Sequence, residues 1–178
     1  FIKLLKSRCD RVGLGVGMDW RSTVLASIPT WYHPLDVVTK SALYSAFRHV
    51  TDRKPVTSET IRVAGRDITI EKVAGDIGFA SFASLCDAPL AARDYLAIAG
   101  RFAGVVLADI PQFTENNEHL ARRFMWLIDA LYDRGRFLIA SAATDINDLY
   151  AGHQWRFEFD RTASRLSEMV ARGQTTGS

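Results

Sequence analysis

A chain of 178 residues with 48% hydrophobic and 24% charged residues has the composition of an ordinary globular protein, which excludes the disordered and fibrous classes. Its formal net charge of +2 comes from arginines spread along the chain, so nucleic acid is not indicated as a partner. The longest apolar runs, Phe102 to Leu107 and Phe137 to Ala143, fall far short of the roughly 20 residues that cross a bilayer, so no membrane span is expected.

In chain order, Phe1-Ile2-Lys3-Leu4-Leu5-Lys6 shows no cationic region ahead of a long apolar core and reads as a helix cut open mid-protein. Two distant cysteines, Cys9 and Cys86, without CxxC spacing suit a reduced pair, and a cytoplasmic location is expected. The glycines of Val12-Gly13-Leu14-Gly15-Val16-Gly17 favour an extended segment or turn, and Pro29 and Pro34 mark loop. Residues 35–50 place Leu35, Val38, Ala42, Leu43, Phe47 and Val50 at helical spacing, with Asp36 supplying acid to the first turn. Thr51 to Ser58, containing Pro55, is the linker.

Beyond it, Ile61-Arg62-Val63 and Ile68-Thr69-Ile70 alternate apolar and polar residues around Ala64-Gly65-Arg66-Asp67, the signature of a small antiparallel hairpin. Asp94 to Ala99 reads as helix, and Gly104 to Ile110 is a continuous apolar run of the kind found in strands buried on both faces, ended by Pro111. The best-defined helix runs from about Asn117 to Tyr132: Leu120, Phe124, Leu127, Ile128 and Leu131 share one face, and Gly135 follows its end. A second buried strand, Phe137 to Ala142, completes the strand-helix-strand order of a parallel crossover unit. Thr162 to Val170 is a short helix with Leu166, Met169 and Val170 inward, and 173–178 is a disordered tail. The fold class is α/β, with the parallel unit, the hairpin unit and helices.

The motifs limit the chemistry. A phosphate-binding P-loop needs G-x-x-x-x-G-K-[ST], whose backbone N–H groups wrap the phosphates while the Lys reaches the β and γ positions, and no Gly-Lys pair occurs in the chain. Asp109 ends a buried strand, where a P-loop enzyme places the carboxylate that holds Mg²⁺, but Ile110 and Pro111 stand where the catalytic base would be, and a strand-end or turn cap is the simpler role. No zinc or calcium motif is present. Ser141, His153 and Asp145 could be written as a hydrolase triad, yet no G-x-S-x-G surrounds any serine; a small hydrolase would need a pocket around a polarised Ser or Cys. Arg161 and Arg165 lie four apart, where like charges repel by a few tenths of a kcal/mol unless an anion sits between them. Glu158, Glu168, an acid elsewhere in the fold, or a phosphate would answer that need. Arg122 and Trp126 are also four apart, the spacing of a cation–π pair.

Around the long helix the sequence reads Ala121-Arg122-Arg123-Phe124, Leu127-Ile128-Asp129, Leu131-Tyr132-Asp133, then Asp148-Leu149-Tyr150 and Arg161-Thr162-Ala163-Ser164-Arg165-Leu166-Ser167-Glu168-Met169. In that order and spacing it resembles the ZapE-like ATPases of the AAA+ P-loop class and their mitochondrial relatives. Phe82-Ala83-Ser84-Leu85-Cys86-Asp87-Ala88-Pro89-Leu90 with Asp94-Tyr95 is similar to the family's F-x-x-L-C-x-x-P-L-G-x-x-D-Y, and Phe1 to Arg21 resembles the segment ending in Asp-Tyr-Arg. The chain departs from the pattern at Ala91, usually Gly, at Trp20, usually Tyr, and at His119-Leu120.

The resemblance implies the C-terminal half of an ATP-hydrolysing protein. Residues 1–50 would then hold the end of the ATPase core and a helical segment, and 59–172 the C-terminal α/β domain. The Walker A and B residues would precede Phe1, so ATP and Mg²⁺ belong to the full-length protein and are not expected to bind this chain alone. It further implies action on FtsZ polymers or other division proteins, contact with the upstream ATPase half, and a possible homo-oligomer. The alternative is a non-enzymatic protein-interaction module. No catalytic or metal residue is expected here; Arg21, Arg122, Arg123, Arg161 and Arg165 are the candidates for binding phosphate or a subunit interface.

Overall fold

The two apolar runs become neighbouring parallel strands at the middle of a six-stranded sheet, where side chains on both faces meet protein. In the computed structural model, which describes residues 23–174, the strands are β1 (Trp31–Tyr32), β2 (Thr57–Val63), β3 (Arg66–Ala74), β4 (Ile77–Ser81), β5 (Gly104–Ile110) and β6 (Phe137–Ala142). The helices are α1 (Val37–Val50), α2 (Ala92–Arg101), α3 (Glu118–Asp133) and α4 (Arg156–Gln174), with a π-helical turn at Ala83–Asp87 and a 3-10 turn at Ile146–Asp148. Strand order is β1-β6-β5-β4-β3-β2; β1, β6, β5 and β4 are parallel, and β3 and β2 continue antiparallel.

Successive residues of β5 and β6 point to opposite faces, both covered, which explains why Asp109 and Ser141 are their only polar residues. Val105, Leu107, Leu138 and Ala140 join the larger core under α2, α3 and α4, while Val106, Ala108 and Ile139 meet Leu43, Phe47 and Val50 of α1 on the other face. Gly104 lies opposite Phe137 in the register, and the ring fills the place of a side chain: a Cβ on Gly104 would come within 2.1 Å of it.

Several expectations change in detail. The expected hairpin is β2 and β3, and because β3 pairs with β4 it extends the parallel sheet. Its turn is only Ala64-Gly65, both at positive φ as a two-residue hairpin loop with right-handed strand twist demands; Arg66 and Asp67 already belong to β3. Within the expected linker, Thr57 and Ser58 belong to β2, and the preceding turn is pinned by Arg48, which donates to the carbonyls of Arg53 and Lys54 at 2.7 Å. Leu35 and Val38 are exposed instead of buried. Leu35 precedes α1, and Val38 is five residues, hence about 140° around the helix, from Leu43. The last helix starts earlier than expected and runs through residues 173 and 174. The glycine-rich segment 12–17, Cys9 and residues 175–178 lie outside the described residues.

Candidate functional site

In an open parallel sheet the crevice at the carboxyl ends of the strands, beside helix N-termini, is the default place for a phosphate. Here those helix starts hold the chain's own carboxylates. Between β1 and α1 stand His33-Pro34-Leu35-Asp36. The Asp36 carboxylate accepts the Thr39 N–H at 2.7 Å, and the hydrogen bonds from Thr39 hold its pKa below the usual carboxylate range. Asp94, in the first turn of α2, accepts the Ala91 N–H at 2.8 Å; Asp145 accepts the Asn147 N–H at 3.1 Å; Glu118 opens α3. Asp94 is buried, with Arg66 3.7 Å away, while the exposed Asp36 would meet an incoming phosphate with negative charge.

Asp109 sits at the exposed end of β5 in the left-handed region, φ 64°, where the β5–β6 register shifts. Its contribution is backbone: the Asp109 N–H donates to Ser141 Oγ at 3.0 Å. Among the described residues no group of three or more His, Cys, Asp or Glu is placed to hold a metal ion. Ser141, His153 and Asp145 are not brought together as a triad. Ser141 is buried beneath Asp109, His153 pairs with Glu115 at 3.1 Å, and Asp145 pairs with His33 at 3.8 Å. Burial pushes the Cys86 thiol up, so it stays protonated and inert.

The arginines divide into two sets. Asp129 of α3 receives both Arg161, at 3.1 Å, and Arg165, and Asp133 lies 3.6 Å from Arg165. Arg165 also lies over the Tyr132 ring. The anion that the i, i+4 spacing requires is thus a carboxylate one helix away, and α4 is tied to α3 by it. Arg122 and Arg123 are held without any carboxylate partner among the described residues. The Arg122 guanidinium lies 5.1 Å from the Trp126 ring and 5.3 Å from that of Trp155, while Arg123 donates to the carbonyls of Cys86 and Asp87 at 3.3 and 3.4 Å. Beside them opens a pocket of about 300 Å³ between the loop at Pro89–Ala91 and the first half of α3. Arg21 lies outside the described residues.

Pro89, Leu90, Ala91 and His119 stand in the sequence as motif positions or departures from the motif and become site residues only in the fold, and Trp155 carries no sequence signal at all. The Trp126 spacing was the available signal for half of the sandwich; Trp155 belongs to a turn, where no period points at Arg122.

Glu118 organises the neighbouring turn. One carboxylate oxygen accepts from the Tyr150 hydroxyl at 2.8 Å, from the Gln154 N–H at 2.9 Å and from the His153 N–H. The Gln154 N–H, then the Tyr150 hydroxyl, hold its pKa below the ordinary 4.5. A depressed carboxylate stabilises the fold above its unfolded pKa, and that contribution is lost as pH falls through the folded value. Glu118→Gln is therefore expected to be less stable than wild type at neutral pH, with the gap closing below about pH 4.5 in urea unfolding. A gap independent of pH would assign the effect to shape alone.

Residues 1–176 match the model of the family described as AFG1-like ATPase. Among curated proteins, the chain is 32% identical over 168 residues to the cell division protein ZapE of Escherichia coli, covering 94% of this chain and 45% of that protein. It is 32% identical over 198 residues to an uncharacterized protein of Schizosaccharomyces pombe, covering 94% and 44%, and 30% identical over 172 residues to lactation elevated protein 1 homolog B of Danio rerio, covering 95% and 34%. The chain therefore spans less than half the length of these relatives. No solved structure matches it.

Proposed function

Because the chain belongs to the AFG1-like ATPase family, we propose that it forms the C-terminal part of a ZapE-like AAA+ enzyme that hydrolyses ATP with Mg²⁺ and acts in the cytoplasm on the division apparatus, FtsZ polymers above all. In this reading the nucleotide is held by the half that precedes Phe1, and the present segment supplies contacts to that half and to partners.

The observation that carries the placement is the self-capping of the helices that follow strands. Asp36 accepts the Thr39 N–H of α1, Asp94 the Ala91 N–H at the head of α2, and Asp145 the Asn147 N–H of the 3-10 turn, N–H groups that a helix start would otherwise offer to phosphate. The absence of a Gly-Lys pair from the chain removes the ammonium that would reach the β and γ phosphates. Among the described residues no helix is long and apolar enough to cross a membrane.

The test is calorimetric titration of the 178-residue chain with Mg·ATP, alongside a protein extended by the upstream half. The short chain is expected to give no binding heat and the extended protein to bind and hydrolyse ATP. Binding by the short chain with a dissociation constant of about 1 μM would overturn the placement. For the partner, FtsZ polymers are pelleted with and without the extended protein and ATP; an unchanged polymer fraction would remove FtsZ as the target.

A further inference from the structure

The two arginine sets differ in a way that points to a ligand. Arg161 and Arg165 are neutralised by Asp129 and Asp133. Arg122 and Arg123 carry full charges that no carboxylate answers among the described residues, yet both are fixed in place, one between two indole rings and one on two backbone carbonyls. Fixing a guanidinium removes rotamer entropy before any ligand arrives, so a later carboxylate contact costs less to form. His119, one turn before Arg123 on α3, adds a third basic side chain to the pocket. The remaining lining is apolar: Pro89 and Leu90 on one wall, Trp126 on the other.

We propose that this pocket binds an acidic, apolar peptide segment of a partner protein, with Arg122 receiving a carboxylate and Leu90, Pro89 and Trp126 enclosing an adjacent aliphatic or aromatic side chain. Charge complementarity selects the acid, because three basic residues line the pocket and no acid does. The apolar walls select a peptide over a bare anion, which would leave Leu90 and Trp126 wetted. A volume of about 300 Å³ is the small end of ligand pockets and suits one or two side chains of a docked segment. A duplex or RNA backbone would call for a broad basic stripe, whereas the chain's net charge is only +2 and the other arginine pair is already neutralised. This rests on the partner-contact part of the proposed function and needs no nucleotide.

The test is selection of a random displayed peptide library on the full chain, counter-selected on Arg122→Glu, followed by fluorescence anisotropy with the enriched peptide. The expected consensus pairs Asp or Glu with an aliphatic or aromatic residue. Its affinity should fall at least about tenfold in Arg122→Glu, as expected for losing a charge-assisted bidentate contact, and less in Arg122→Lys. Arg134→Glu, the same charge change away from the pocket, should leave it unaltered. Failure to enrich any peptide would overturn the proposal, as would a consensus without acid or an equal loss in Arg134→Glu. So would inorganic phosphate, single-stranded RNA or phosphatidylglycerol vesicles displacing the peptide at Arg122. The assay contains no ATP, so its failure leaves the ATPase reading standing, and failure of the ATPase reading leaves this result interpretable.

Discussion

Replacing Phe124 by Ala is expected to cost about 3–5 kcal/mol, the range for deleting a fully buried aromatic ring from a packed core. Phe124 has no exposed surface, and its ring lies 5.4 Å from Phe113, 6.1 Å from Phe82 and 6.3 Å from Phe159. Those three rings come from the loop after β5, the end of β4 and α4, so one deletion loosens contacts among separate elements. Domains of this kind have a total stability of only about 5–15 kcal/mol, so the variant approaches the unfolding threshold. A fall in melting temperature of roughly 6–20 °C follows from the usual relation between free energy and midpoint at this size. Thermal scans and urea curves measure it directly. A midpoint equal to wild type would place the ring outside the core.

Asp129→Ala is expected to cost about 1–2 kcal/mol, below the range for a buried ion pair because the site is partly open. Asp129 is 25% exposed, Arg165 23% and Arg161 61%, so solvent weakens the Arg161 contact more than the Arg165 one. Removing the acid also leaves two cations one helical turn apart on α4 without their common partner, adding a few tenths of a kcal/mol of repulsion. Asp129→Asn keeps the shape but turns one of the two accepting oxygens into an N–H donor, so the gap between wild type and Asp129→Asn measures the charge together with one lost hydrogen bond. The gap between wild type and Asp129→Asn should narrow in high salt, as screening removes what the charge contributes. Unchanged stability in both variants, with loss of partner or phosphate binding, would move Arg161 and Arg165 from structure to function.

The same contrast runs through what could be read before the fold was known. β5, β6 and α3 were legible because burial imposes periods on residues that are neighbours in sequence: continuous apolar runs in strands covered on both faces, and Phe124, Leu127, Ile128 and Leu131 along one helical face. The family was legible in the order of short motifs from Phe82 to Met169, and the match over residues 1–176 agrees with it. Pairings between distant residues left no such period. Only the tertiary structure put the two-residue strand β1 beside Ala140 and Ser141, chose Asp129 as the acid for Arg161 and Arg165, and seated Arg122 against Trp155 as well as Trp126. The spacing of two arginines states that an anion is needed, but which anion answers depends on how α4 crosses α3, and that crossing is set by packing of the whole core.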